Sequence, residues 1–290
     1  MFRASLTARL AAAALFALPL AAPVANAETS LTIAVMRDSN SVAENNFTLT
    51  TRGPAAQVVE TAVQPDENFL PQPLLFDSWD YADGIYTITV HPGIRFSDGS
   101  AFNADTAIAA LRLNDLRKSD FLEIDPESFV KLDEMRFSFR SEKNSALVIE
   151  NMTHRGTSLF ADTGDRAANL VGTGPYLLES YDPKVSMTVV RNPDYWGTPR
   201  NIDRITYRYM ADDNARILAL QNGEIDIIAD VTPQMMLSMP QDGSVVLHES
   251  RPIRYLALSV GINAPAPFDI LKDVTLRQAV AWAIDREAIA

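Results

Sequence analysis

The stretch Ile85-Tyr86-Thr87-Ile88-Thr89-Val90-His91-Pro92-Gly93-Ile94-Arg95-Phe96-Ser97-Asp98-Gly99-Ser100-Ala101-Phe102-Asn103-Ala104-Asp105 carries the local signals that decide the fold. Ile85 to Val90 is rich in β-branched residues and reads as a strand. Asp98-Gly99, between Arg95-Phe96 and Phe102, marks a turn. Asn103 supplies an N-cap for a helix running to about Arg117, and Asp105 sits in its first turn, where the helix dipole favours a carboxylate. Downstream, Met135 to Arg140 alternates Met, Phe, Phe with Arg, Ser, Arg, the period of a half-buried strand.

Upstream, Leu31 to Met36 is an apolar run suited to a buried strand, Arg37 to Arg52 is polar and irregular, and Pro54 to Val63 has the composition of a helix. Further on, Tyr176 to Tyr181, Met187 to Arg191 and Ile205 to Tyr209 read as strands. The last places Ile205, Tyr207 and Tyr209 on one face. Asp212 or Asp213 caps a helix to Gln221 that Gly223 ends, Ile225 to Ile228 reads as a buried strand, and Thr232-Pro233 opens another helix. Thr275 and Gln278 form a capping-box pair for a helix whose apolar stripe is Leu276, Val280, Ala283 and Ile284. Strands and helices interleave without repeats, so the class is α/β or α+β.

The chain opens with Arg3 and Arg9, an apolar run from Leu10 to Ala22, and Ala25-Asn26-Ala27. This is the pattern of a secretory signal peptide cleaved after Ala27. The run is shorter than the roughly twenty residues a membrane helix needs and is interrupted by Pro19 and Pro23, so a soluble periplasmic product is expected. Loss of Arg3 and Arg9 takes the formal charge from −12 to −14, which argues against nucleic acid or anionic lipid as partners. Hydrophobic residues make up 47% of the chain, which excludes a disordered class. With no cysteine in the chain, neither a disulfide nor a thiol nucleophile is available.

Other motifs point away from enzyme chemistry. Gly172-Thr173-Gly174 has the look of a phosphate-loop fragment, but Pro175 removes an amide and a strand follows, so it reads as a structural turn. No Gly-x-Ser-x-Gly elbow occurs. His91, His154 and His248 are far apart in sequence, so neither a metal site nor a cofactor is expected from them. Two readings of Arg155 stand: an ordinary surface arginine, or a guanidinium holding a ligand carboxylate through a bidentate contact.

Several blocks together resemble the peptide and nickel family (family 5) of extracytoplasmic solute-binding proteins of ABC importers. They are Ser78-Trp79 with Ile85 to Asp105; Gly172-Thr173-Gly174-Pro175-Tyr176; Arg191-Asn192-Pro193-Asp194-Tyr195-Trp196-Gly197 with Ile202 to Thr206; Ala219-Leu220-Gln221-Asn222-Gly223-Glu224-Ile225-Asp226; and Val274 to Ile289, with Arg277-Gln278-Ala279-Val280 and Ala283-Ile284-Asp285-Arg286. The family's Tyr-Glu-Gly-Leu segment is loosely matched by Val59-Glu60-Thr61-Ala62-Val63.

The resemblance implies an α/β, periplasmic-binding-protein-like two-lobed clamp whose second lobe is truncated in this chain. Residues 28–70 and 170–250 would form lobe I, 71–169 an inserted subdomain, and 251–290 the start of lobe II. The implied function is capture of peptides for a membrane permease, with capture of nickel or another metal as an organic chelate as the alternative. The implied partners are the ligand and the permease subunits of the importer, and the protein itself is expected to be a monomer. Arg155, Arg37 and Lys118 are the expected contacts to an anionic group of the ligand. So short a second lobe is expected to leave the apolar stripe of the last helix uncovered and ligand binding weak or absent.

Overall fold

The computed structural model describes residues 28–36, 57–113, 122–141, 146–161, 163, 170–240, 242–249, 265 and 268–289. They divide into two compact units, Met1–Met239 and Pro240–Ala290. The first unit is mixed α/β and is built on two larger sheets and a small hairpin.

The five-stranded sheet has the order β11-β1-β10-β9-β8. Its strand β1 (Ser30–Val35) runs parallel to both β10 (Arg204–Tyr209) and β11 (Ile227–Ile228). Strand β9 (Ser186–Arg191) pairs antiparallel with β10 and with β8 (Tyr176–Asp182). The expected face of β10 is the buried one: Ile205 and Tyr207 join Met187 and Val189 of β9 and Tyr176 of β8 in one apolar cluster. Helix α3 (Asp213–Gln221) starts on the side chain of Asp212, which accepts from the amide of Ala215 at 2.7 Å. It ends at Gly223, whose φ of +71° suits a residue without a Cβ. Helix α4 (Pro233–Ser238) has Thr232 as its cap and Pro233 in its first turn. The strand expected over Ile225–Ile228 is shorter: Ile225 is buried, only Ile227 and Ile228 pair with β1, and Ile227 is exposed.

The second sheet is antiparallel, in the order β4-β5-β7-β6, with β4 Phe76–Ala82, β5 Ile85–Val90, β6 Val130–Lys131 and β7 Arg136–Arg140. Alternation decides its faces: Tyr86, Ile88 and Val90 of β5 and Phe137 and Phe139 of β7 all point into the core. Helix α1 (Ala104–Leu113) closes that core with Ala104, Ala107, Ile108, Ala110 and Leu111, a spacing that places them on one stripe. Its start is a reciprocal cap: the Thr106 amide donates to Asn103 Oδ1 at 3.1 Å, and the Asn103 amide to Thr106 Oγ1 at 2.9 Å. Burying one Ile, Leu or Phe side chain of this cluster contributes about 2 kcal/mol. Helix α2 (Val148–Asn151) adds Val148 and Ile149 to it. Residues 114–117, the expected end of α1, lie outside the described residues.

The segment read as a helix over Pro54 to Val63 is not one in its described part. Gln57 and Val58 form a turn, Glu60 makes an antiparallel bridge to Leu159, and Val63 begins β2 (Val63–Pro65), which pairs with β3 (Pro71–Pro73). Val58, Val59, Thr61 and Val63 are β-branched and favour extended backbone. The run is apolar on both sides because it passes through two cores: Val58 and Val59 pack with the five-stranded sheet, Ala62 and Val63 with the four-stranded one.

In the second unit a 3₁₀ turn (Phe268–Lys272) leads into α5 (Val274–Ala283), followed by α6 (Arg286–Ile289). The capping residue of α5 is Asp273, not Thr275 paired with Gln278. Its carboxylate accepts from the Thr275 amide at 2.7 Å and adds a charge where the dipole favours one. No residue of α5 is buried, and Trp282 is 88% exposed. Among the described residues no helix is long and apolar enough to cross a membrane. The expected signal segment, residues 1–27, lies outside them.

Candidate functional site

A carboxylate sits where the two cores of the first unit meet. Glu60 lies between the Val58-Val59 pair and the Ala62-Val63 pair, with its carbonyl oxygen accepting from the Leu159 amide at 2.8 Å. Its side chain is half-buried and accepts three hydrogen bonds from neutral donors: Tyr195 Oη at 2.7 Å onto Oε1, and Thr173 Oγ1 at 2.8 Å and Trp196 Nε1 at 3.0 Å onto Oε2. These donors come from the Gly172–Pro175 corner before β8 and from the loop after β9. Glu60 therefore ties three separate pieces of chain to one point. Trp196 in turn lies against the ring of His91 at the end of β5, centroids 5.1 Å apart.

The corner can supply Thr173 only because it touches the Gln57–Val58 backbone. A Cβ on Gly172 would stand 2.0 Å from the Val58 carbonyl oxygen, and one on Gly174 2.5 Å from that of Gln57. The Gly174 amide donates to Val58 O at 3.0 Å. Asn192 completes the join, its side-chain amide donating to Gly174 O at 3.1 Å. Both glycines thus serve backbone contact, and the sequence Gly-Thr-Gly-Pro is a corner rather than a phosphate loop, as its reading as a turn anticipates.

Burial raises the pKa of Glu60 above the ordinary glutamate value, against the lowering effect of its hydrogen bonds to Tyr195, Thr173 and Trp196 and of the Arg200 charge. Burial likewise raises the Tyr195 phenol, and the adjoining Glu60 charge adds to it. A carboxylate held by three donors from separate segments serves as an anchor between them.

Of the expected ligand contacts, Arg155 is exposed, at the start of a 3₁₀ turn (Arg155–Thr157) in which the Gly156 amide donates to His154 Nδ1 at 3.0 Å. Its charge is felt at the β10 residue Tyr207, whose phenol is pushed up to about 12 by burial, with Arg155 pulling the other way. Arg37 and Lys118 lie outside the described residues. Of the histidines, His91 packs against Trp196 with its ring tilted by 46° and His154 caps a turn. Among the described residues no group of three or more His, Cys, Asp or Glu is arranged to hold a metal ion. The paired acids Asp212 and Asp213 do serve the helix start: Asp212 caps α3, and Asp213 binds Arg216 and accepts from Thr232 Oγ1 at 3.1 Å.

Glu60 is the residue that pattern reading passed over as a site. Its signal is in the sequence nonetheless, as one acid inside the run Val58-Val59-Glu60-Thr61-Ala62-Val63, because a charge in a segment that is otherwise apolar must find partners.

The chain has counterparts among known proteins. The chain is 29% identical over 236 residues to the glutathione-binding protein GsiB of Pectobacterium atrosepticum, an alignment covering 74% of this chain and 44% of that protein. It thus spans under half the length of that relative. The crystal structure of a nickel ABC transporter from Bacillus halodurans superposes with a TM-score of 0.73 at 26% identity, covering 90% of this chain and 55% of the other. The ABC transporter-associated periplasmic binding protein DppA of Helicobacter pylori, solved with the peptide STSA, shares the fold at a TM-score of 0.57 and 20% identity, over 68% of this chain and 46% of that one. The model of the bacterial extracellular solute-binding proteins, family 5, matches residues 71–290, and the chain, with its α/β periplasmic-binding-protein fold, belongs to that family.

Proposed function

We propose that this chain is the ligand-capturing part of an extracytoplasmic solute-binding protein that takes up short peptides and hands them to the membrane permease of an ABC importer. The observation that supports this most is the coincidence of a binding-protein fold over 90% of the chain with a relative named for glutathione, which is itself a tripeptide. In this reading residues 28–70 and 170–250 make the first lobe, 71–169 are inserted in it, and 251–290 begin the second. Residues 1–27 direct export to the periplasm, where the protein acts as a monomer. Closure of the lobes on a ligand is a population shift driven by contacts made only when closed.

Peptide capture relies on backbone pairing and on ionic partners for the termini, and Arg155, with Arg37 and Lys118, supplies the latter for a carboxylate. If Arg155 is such a partner, Arg155→Ala lowers affinity by about 2–5 kcal/mol, whereas a surface arginine would leave it unchanged. A second reading, binding of nickel as an organic chelate, is favoured by the likeness to the Bacillus halodurans protein. Native mass spectrometry of protein purified from its own periplasm separates the two. The peptide reading predicts a retained mass with the fragmentation of a short peptide. A nickel isotope pattern would replace it with the chelate reading.

A further inference from the structure

The hairpin of β2 and β3 is a poor strand-pairing surface and a rigid one. Its register places Pro65 opposite Pro71 and Val63 opposite Pro73, so its edges carry three prolines without amide donors and cannot be extended by another strand. The five-residue tip, Asp66 to Leu70, is fixed from inside. Asp66 Oδ1 accepts from the amides of Asn68 at 2.8 Å and Leu70 at 2.9 Å. The Asp66 amide donates to Leu70 O at 2.9 Å, and the Phe69 amide to Asp66 O at 3.1 Å.

This frame holds Phe69 at φ +64°, a region where a side chain carries a steric penalty and glycine or asparagine is the usual occupant. The strained residue is an aromatic one, and it faces solvent: Phe69 and its neighbour Leu70 are each 57% exposed. Backbone strain spent on presenting an aromatic and an aliphatic side chain side by side fits an anchor that enters a pocket on a partner. The charge around it narrows the partner. From Gly53 to Ile94 the chain has no lysine or arginine, while Asp66, Glu67, Asp77, Asp80 and Asp83 are all acidic. At the tip itself Asp66 and the exposed Glu67 precede the two apolar side chains, so the knob repels anionic lipid and complements a cationic rim on a protein.

We propose that the Phe69–Leu70 tip is a docking knob that seats in an apolar, cation-rimmed pocket on the extracytoplasmic face of the importer's membrane permease, an inference that rests on the functional reading above. Docking of the intact chain to the same organism's peptide-class permease in phosphatidylcholine nanodiscs tests it, with empty nanodiscs as the control and peptide titration in solution run in parallel. Phe69→Gly removes the ring and relieves the backbone, so docking is expected to weaken at least about tenfold, while peptide affinity is unchanged and the Tm rises by roughly 2–4 °C. Leu70→Ser is expected to weaken docking in the same direction, and the parent's docking to fall with added salt. Docking of Phe69→Gly equal to the parent's, no docking of the parent to that permease, or equal binding to empty nanodiscs, which would indicate a membrane contact, would each overturn the knob. Failure to bind any solute alongside Phe69-dependent docking would instead count against the functional reading.

Discussion

Two charged side chains in the first unit, one half-buried and one fully buried, are handled in opposite ways. Glu60 meets three neutral donors from two loops, each within 3.0 Å. Arg216 on α3 is fully buried, yet its bonds all leave from Nη2, to the carboxylate of Asp213 and, at 3.4 Å, to the sulfur of Met235 on α4. Nε and Nη1 have no partner among the described residues. A satisfied buried ion specifies how segments meet, and removing it strands its partners. A half-satisfied one contributes mainly its bulk, and an apolar side chain of like volume replaces it at little cost.

The contrast can be broken first at the corner that presents Thr173. Gly172→Ala puts a Cβ against the Val58 carbonyl, where backbone rather than a flexible side chain must give way. A loss of about 4 kcal/mol is expected in urea unfolding followed by tryptophan fluorescence. A loss below about 1 kcal/mol would mean that the corner moves away from Val58 freely. Glu60→Ala comes next, at about 3 kcal/mol, because Tyr195, Thr173 and Trp196 lose their common acceptor. The two losses are expected to be less than additive, since both act on the same join. Arg216→Met sharpens the other side of the comparison: stability is expected to stay within about 1 kcal/mol of the parent. A loss as large as that of Glu60→Ala would show that Arg216 is as well served as Glu60.

The smallest effect is one of pH. Burial makes the folded state hold the Glu60 proton more tightly than the unfolded chain does, so the contribution of Glu60 to stability falls as pH rises from 4.5 through its raised folded pKa. Asp203 runs the other way. Hydrogen bonds from the Thr29 amide and hydroxyl lower its pKa below 3.8, so its contribution is present above that value and is lost as pH falls through the folded one. Glu60→Gln keeps an acceptor for Thr173 and Trp196 and can donate to the Tyr195 oxygen. It is expected to remain folded and to flatten the Tm profile just above pH 4.5. An unchanged slope there would show that Glu60 titrates as it does in the unfolded chain.

The Ile85–Asp105 stretch was legible because each local signal agrees with the next: alternation in β5, a turn residue with φ +85° at Gly99, and a cap at Asn103 that the structure shows reciprocated. The Val58–Val63 run was not. Its apolar residues face two different cores, so neither strand nor helix periodicity survives, and composition alone suggested a helix. The seam was hidden for a related reason, since Glu60 meets Thr173, Tyr195 and Trp196 across more than a hundred residues of sequence. At α5 the error was one of competition between caps: Asp273 lies two residues ahead of Thr275 and takes the amide that the capping box would have needed free. The influence of the Arg155 charge on Tyr207 links two residues far apart in sequence, which no local pattern encodes.

The most direct test of the account is titration calorimetry of the chain with glutathione, a trialanine peptide and the nickel complex of histidine. Capture of short peptides predicts weak but saturable heats with the first two, accompanied by a negative heat-capacity change from burial of apolar surface, and none with the nickel complex. Saturable binding of the nickel complex alone would contradict it.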